Sequence, residues 1–249
     1  MRIGLIGCGV IGSSIAKFLD KKGVRINFVS DIDAIQTLRL ASELKSKPLI
    51  KSINDTIKLS DFIIEAATPK IVPKIMKLGK GKKIFIMSVG GLLGQKISKN
   101  IHFPSGAIGG LDALRAASVG KIKSVTLTTT KPPKGLKGAP YVVNKKINLD
   151  KITKKVIFSG SVKDAVKGFP KNVNVAASIA ISSGVPRKVK VKIVVDKNIK
   201  RNIHEIEVMG DAGRFYVKAE NVPSSVNPKT SQLAVYSALS SIKMLVEKQ

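Results

Sequence analysis

Residues 1–16 read MRIGLIGCGVIGSSIA, a short apolar run, a glycine cluster, then small and apolar residues at helical spacing. Arg2 to Ile6 has the near-continuous apolar character of a buried strand, and Val10 to Lys22 reads as a helix. Between them Gly7, Gly9 and Gly12 form G-x-G-x-x-G. That motif carries meaning only where it follows a strand and opens a helix, and here it does both. Gly7 permits the tight turn, Gly9 lets a pyrophosphate approach the backbone, and Gly12 allows close packing of helix on strand. The free N–H groups at the start of the helix, at Val10 and Ile11, are then available to phosphate oxygens.

Working outward, Val24 to Ser30 reads as a second strand and Asp33 to Leu44 as a second helix. Asp31 ends that second strand, nineteen residues past Gly12. A carboxylate there accepts both ribose hydroxyls of NAD and repels a 2′-phosphate, although a lysine-rich neighbourhood softens that preference, so the cofactor is read as NAD or NADP. Short strands follow at Leu49 to Lys51, Asp61 to Ala66 and Lys83 to Ser88, with helical stretches around Thr56 and from Ile71 to Leu78. This βαβ rhythm predicts a Rossmann-type parallel sheet. Ligands bind beyond the carboxyl ends of such strands, which places Ala67, Thr68 and Ser88 beside the nicotinamide half of the cofactor.

Past about residue 120 the pattern changes. KSVTLTTTK (123–131) alternates as a strand, KPPKGLKGAP is a Pro/Gly loop, and strands run in series from Lys188 to Val195, Asn202 to Met209 and Arg214 to Glu220. The fold class expected is therefore α/β: a Rossmann-type nucleotide domain (1–108, completed by a C-terminal helix 229–249) and an α+β domain with a mixed sheet (109–228). Within RNIHEIEVMGDAG (201–213), alternation sets His204 on the face of Ile206 and Val208, with Glu205 and Glu207 pointing the other way. An imidazole on an apolar face is either a hydrogen-bonded core residue or a group in a cleft.

Composition narrows the function classes. The chain has 249 residues, 43% of them hydrophobic, and a net charge of +28. No apolar run approaches the roughly 20 residues that span a bilayer, and the first residues enter a strand with no signal-peptide pattern, so a cytoplasmic, non-membrane protein is expected. One cysteine, Cys8, and two distant histidines give no disulfide and no metal site. The lysines are scattered, there is no Trp and only three Tyr, so the charge reads as a solvated surface that attracts small anions and does not bind nucleic acid.

Several blocks together resemble the L-aspartate dehydrogenase family: PSGAIGGLDALRAA (104–117), VTLTTTKPPKGL (125–136), FPKNVNVAASIAI (169–181), NIHEIEVMGDAG (202–213) and ENVPSSVNPKTSQLA (220–234). The resemblance runs from end to end of the chain. It implies that His204 is catalytic, that Ala107 and Asn174 contact the cofactor, and that the enzyme is a homodimer acting on L-aspartate in de novo NAD synthesis, with quinolinate synthase as a partner for channelling. The product is iminoaspartate, or oxaloacetate and ammonia after hydrolysis.

That chemistry suits the residues. The cofactor takes the hydride, so the side chains must supply a base near neutrality and donors for two carboxylates. Histidine alone has an unperturbed pKa, about 6.5, in that range. For the dicarboxylate, Lys229, Thr230 and Ser231 open the last helix, whose N-terminus is an anion site, with Ser105 and Gly106 as further candidates. His102 reads as structural. Two other readings compete: a dehydrogenase or reductase of the dihydrodipicolinate reductase or homoserine dehydrogenase type, and a non-catalytic NAD-binding regulator. The latter would have no use for His204 in a cleft.

Overall fold

In the computed structural model, which describes residues 1–170, 174–224 and 230–247, the chain divides into unit 1 (residues 1–104 and 235–249) and unit 2 (residues 105–234). Unit 1 is built on β1 (Ile3–Ile6), β2 (Phe28–Ser30), β3 (Leu49–Ile50), β4 (Phe62–Glu65), β5 (Lys83–Ile86) and β6 (Ile101–His102), paired in the order β3-β2-β1-β4-β5-β6. Every pairing is parallel. β1 and β4 are buried at every position, which is why they read as apolar runs, broken only by Glu65 at the end of β4. The crossovers are α1 (Val10–Lys21), α2 (Ala34–Glu43), α3 (Ile53–Leu59) and α4 (Val72–Leu78). Strand order reverses between β1 and β4, and that switch point is where an open parallel sheet presents its ligand crevice.

β2 is shorter than the alternation predicted. Gly23 takes a left-handed φ of +75° and the Val24 N–H bonds back to the Leu19 carbonyl, so the residues after α1 close the helix before the strand can start.

Unit 2 holds a sheet of β7 (Ile122–Lys131), β8 (Lys154–Ser161), β9 (Val189–Asp196), β10 (Asn202–Gly210) and β11 (Gly213–Asn221) in the order β11-β10-β7-β9-β8. β7 and β9 are parallel and the other pairs antiparallel, so the sheet is mixed, as expected. β8 is a strand the sequence did not announce. Its residues are mostly exposed, and a polar edge strand carries little apolar alternation. The helices are α5 (Leu111–Ala117), α6 (Pro140–Asn144), α7 (Val162–Gly168) and α8 (Asn174–Ser182). The Pro/Gly segment after β7 contains a 3-10 turn at Pro133–Gly135.

The C-terminal helix α9 spans Gln232–Glu247, and its Ala238 and Ile242 are buried with Ile3, Leu5, Ile15 and Phe85 in the core of unit 1. Among the described residues no helix is long and apolar enough to cross a membrane.

Candidate functional site

In unit 1 the glycine turn is fixed by contact. Gly7 has φ of +101°, and a Cβ there would lie 2.5 Å from the Ala66 backbone; a Cβ on Gly12 would lie 1.9 Å from the Gly7 carbonyl oxygen. A Cβ on Gly9 would meet nothing within 4 Å. Gly7 and Gly12 are thus demanded by the fold, whereas Gly9 leaves room for a ligand. α1 starts at Val10 and Ile11 with no side-chain cap, so its leading N–H groups are presented to that space.

Asp31 Oδ2 accepts the Cys8 N–H at 2.5 Å and Oδ1 accepts the Asp33 N–H at 3.0 Å. The carboxylate is thereby locked to the glycine turn, with lone pairs remaining for ribose hydroxyls. Burial pushes the Cys8 thiol up to about 11, so its backbone N–H and not its sulfur is the useful group. Gly7, Gly9, Asp31, Ile32, Ala67 and Thr68 line a groove of about 350 Å³, to which Lys70 adds a cation. This set fits a dinucleotide.

Sequence reading set Glu65, the last residue of β4, only at the start of a turn flanking the cofactor and missed what its carboxyl group does. Its carboxyl group is fully buried and accepts the N–H groups of Ala67 (2.8 Å) and Ser88 (2.9 Å) and the Ser88 hydroxyl (2.7 Å). It ties the turns after β4 and β5 together, and so fixes the Ala67, Thr68 and Ser88 positions predicted to flank the cofactor. Burial raises its pKa, against the hydrogen bonds that lower it.

In unit 2 His204 is buried on β10, opposite Thr129 of β7 and Ala219 of β11. Its Nδ1 lies 2.9 Å from Thr129 Oγ1. Glu205 and Glu207 face the other side, where Glu205 accepts from the Tyr216 hydroxyl and Glu207 pairs with Arg214 at 2.6 Å. Burial, and then the positive charge of Lys131, push His204 down to about 3. The ring is therefore neutral at pH 7, the state a base needs, but far less basic than the near-neutral value expected from an unperturbed imidazole. Lys131, also buried, is itself pushed down by burial to about 8.

A second cluster joins residues from separate blocks. Asn221, buried at the end of β11, donates through Nδ2 to the Ala107 carbonyl at 3.0 Å and accepts the Ser231 hydroxyl at 2.6 Å. Ser105 and Gly106 lead into Ala107, Gly106 with φ of +73°. Asn174 is the exposed first residue of α8.

The expectation that Lys229, Thr230 and Ser231 open the last helix is corrected: α9 starts at Gln232, because Ser231 bridges to Pro223 and the Thr230 carbonyl accepts the Ser224 N–H at 2.8 Å. Lys229 lies outside the described residues. His102 sits on β6 in unit 1, where burial and Lys83 lower its pKa. Among the described residues no group of His, Cys, Asp and Glu is arranged to hold a metal ion.

Two family models match the chain: "Homoserine dehydrogenase, NAD binding domain" over residues 7–102 and "Aspartate dehydrogenase, C-terminal" over residues 112–245. The chain is 41% identical to an L-aspartate dehydrogenase of Methanocella arvoryzae, over 99% of this chain and 97% of the relative. It is 38% identical to one from Nitrosopumilus maritimus, over 97% and 95%. Among solved structures, the aspartate dehydrogenase of Thermotoga maritima superposes with a TM-score of 0.73 at 28% identity, covering 98% of this chain and 96% of that one. With the nucleotide groove intact, His204 buried in its block and this similarity spanning both units, the chain belongs to the L-aspartate dehydrogenase family.

Proposed function

We propose that the protein oxidises L-aspartate with NAD as hydride acceptor, giving iminoaspartate and, on hydrolysis, oxaloacetate and ammonia. The observation that carries this reading is a neutral, buried His204 held by Thr129, in a chain similar over almost its whole length to L-aspartate dehydrogenases. When bound, the cofactor supplies the hydride acceptor. The chain's own residues do the rest: the glycine turn and Asp31 hold the nucleotide, and His204 accepts a proton from the substrate ammonium. That transfer leaves a neutral amine whose lone pair can support departure of hydride from Cα. A substrate carboxylate beside the ring would raise its basicity toward the useful range.

NAD is favoured over NADP because Asp31, the proposed ribose ligand, is held against the glycine turn by the Cys8 and Asp33 N–H groups, and the following residues, Ile32 to Gln36, bring no cation to a 2′-phosphate. The homodimer, the cytoplasmic location and the hand-over of iminoaspartate to quinolinate synthase belong to the same proposal and rest on the family resemblance. Ala107, Asn174, Ser105, Gly106, Thr230 and Ser231 keep their proposed ligand roles.

The test is NAD-dependent turnover of L-aspartate measured against L-homoserine and other amino acids. Absence of activity with aspartate alone among them sinks the reading. Asp31→Ala should shift the kcat/KM ratio toward NADP, and a ratio that stays put removes Asp31 from the ribose.

A further inference from the structure

Asn221 closes β11, whose backbone is already in register with β10 along its whole length, so the side chain is not needed to hold the sheet. It is 2% exposed, and both ends of its amide are spent on segments outside the sheet. Nδ2 donates to the Ala107 carbonyl at 3.0 Å, and Oδ1 accepts the Ser231 hydroxyl at 2.6 Å. Ala107 lies 114 residues before it and Ser231 ten after it.

The same amide stands on the face of His204. Residues opposite one another in an antiparallel pair point to one side, and the register sets Val217, Ala219 and Asn221 against Ile206, His204 and Asn202. Asn221 is thus a diagonal neighbour of the imidazole, a spacing of roughly 7–8 Å in such pairs. The segment 105–110 is laid along this stretch of β11. Its Ala107 carbonyl meets Asn221, and a Cβ on Gly110 would lie 2.6 Å from Val217 Cγ2. Ala219, directly opposite His204, falls between the two anchors. Past β11, Pro223 bridges to Ser231, while the Ser224 N–H donates to the Thr230 carbonyl (2.8 Å) and the Gln232 N–H to the Val222 carbonyl (2.9 Å). Ser231 is seated by its backbone, and its hydroxyl is aimed by Asn221.

A primary amide carries donor and acceptor on one rigid plane, so a single side chain can hold a carbonyl and a hydroxyl at a fixed spacing. We infer that Asn221 is a positioning residue, which sets the proposed cofactor contact Ala107 and the proposed substrate contact Ser231 in register with each other and with His204. This inference rests on the ligand roles proposed for Ala107 and Ser231 and on the reading of His204 as the residue that acts on the substrate.

The experiment titrates NADH into the full chain by calorimetry and measures steady-state kinetics with L-aspartate at saturating NAD. Asn221→Asp keeps an acceptor for the Ser231 hydroxyl and turns a second acceptor on the Ala107 carbonyl. NADH affinity should fall by about 10-fold, the order of effect of a buried polar group left without its partner, while the aspartate KM stays within about threefold. Asn221→Leu, similar in volume, releases both segments. It should weaken NADH to the same degree, raise the aspartate KM by about 10-fold and lower kcat by a similar factor, since reacting groups tolerate little misplacement. Both variants should melt earlier than wild type, so the deciding values are the constants of the folded proteins, measured well below their melting temperatures.

NADH affinity and aspartate KM at wild-type values in both folded variants would make Asn221 purely structural and overturn the inference. An equal rise of the aspartate KM in the two variants overturns it as well, because Ser231 would then not be placed by Asn221. If Asn221→Leu does not fold, Asn221→Ala carries the same comparison, and the NADH measurement can be read from it if Asn221→Asp does not fold. The two readings fail separately. NADH affinity that falls in Asn221→Asp, in a protein that does not oxidise aspartate, removes the proposed activity and leaves the positioning role. An active enzyme indifferent to Asn221 does the opposite.

Discussion

Thr129 Oγ1 lies 2.9 Å from Nδ1 of His204 across the paired strands β7 and β10, so a hydroxyl on the neighbouring strand fixes how the imidazole is turned. With Nδ1 engaged, Nε2 is the ring atom left for the proposed contact with substrate, and when Nδ1–H donates to Thr129 the Nε2 lone pair is the one available to accept a proton.

His204→Asn should therefore lower kcat for aspartate by about 10²- to 10⁴-fold, the usual loss for a general acid–base group. Thr129→Val, which keeps the shape and removes the hydroxyl, should lower kcat by about 10-fold through loss of ring orientation. Both should leave NADH affinity near wild type, since the nucleotide groove belongs to unit 1. A mutant of His204 that melts early and turns over normally would mark it as a core residue.

The two buried basic groups predict opposite ends of a pH–stability profile with the same sign. His204 falls from an ordinary 6.5 to about 3, so between those values the unfolded chain binds a proton that the folded chain does not. Stability is therefore lost as pH drops through that window, and His204→Asn should flatten the loss. Lys131 falls from 10.5 to about 8, so from 8 upward the unfolded chain again holds the extra proton and stability should rise with pH until about 10.5. Lys131→Met should remove that rise. Melting temperatures of the three proteins across pH measure both slopes.

The glycines of the first turn separate folding from binding. Gly12→Ala places a Cβ against the Gly7 carbonyl and should destabilise unit 1 by several kcal/mol, an order of magnitude typical of overpacking and backbone strain combined. Gly9→Ala meets no protein atom and should melt within a few degrees of wild type, yet raise the NAD KM by about 10-fold or more. Equal effects of the two substitutions on stability would contradict this division.

Glu65→Gln offers one acceptor oxygen where the carboxylate has two, and it turns an NH₂ toward backbone and hydroxyl donors. A buried donor left unsatisfied costs about 1–3 kcal/mol. The melting temperature should fall and the NAD KM rise together, because the turns at Ala67 and Ser88 lose their common anchor. A change in melting temperature with an unaltered NAD KM would confine Glu65 to folding.

The basic surface gives a further expectation. With a net charge of +28, the protein should attract a net-anionic dicarboxylate substrate, and added salt should lower kcat/KM for aspartate as screening shortens the reach of that field. Duplex DNA should bind weakly at physiological salt. Tight, sequence-selective binding would reverse this interpretation of the charge.

What residues 1–16 settle, they settle locally. The turn, the strand before it and the helix after it depend on neighbours within a few positions, so Gly7, Gly9 and Gly12 were legible in order, and Asp31 follows once the next strand is recognised. Alternation likewise placed His204 on the buried face and Glu205 and Glu207 on the other, because the two-residue period of a strand is written in the chain itself. Sequence could not show who stands opposite. Thr129 is 75 residues from His204, and only the pairing of β7 between β10 and β9 makes it the ring's partner and sets Lys131 beside both. Glu65 looked like an ordinary strand end until the turn after β5 came to rest on its carboxyl group, and Asn221 gained its meaning only when Ala107 and Ser231 converged on it. The start of α9 was misplaced for the same reason: residues suited to capping were taken instead by a bridge to Pro223. Local propensity decides which elements exist, whereas non-local pairing decides which polar groups meet, and the chemistry of unit 2 is made wholly of such meetings.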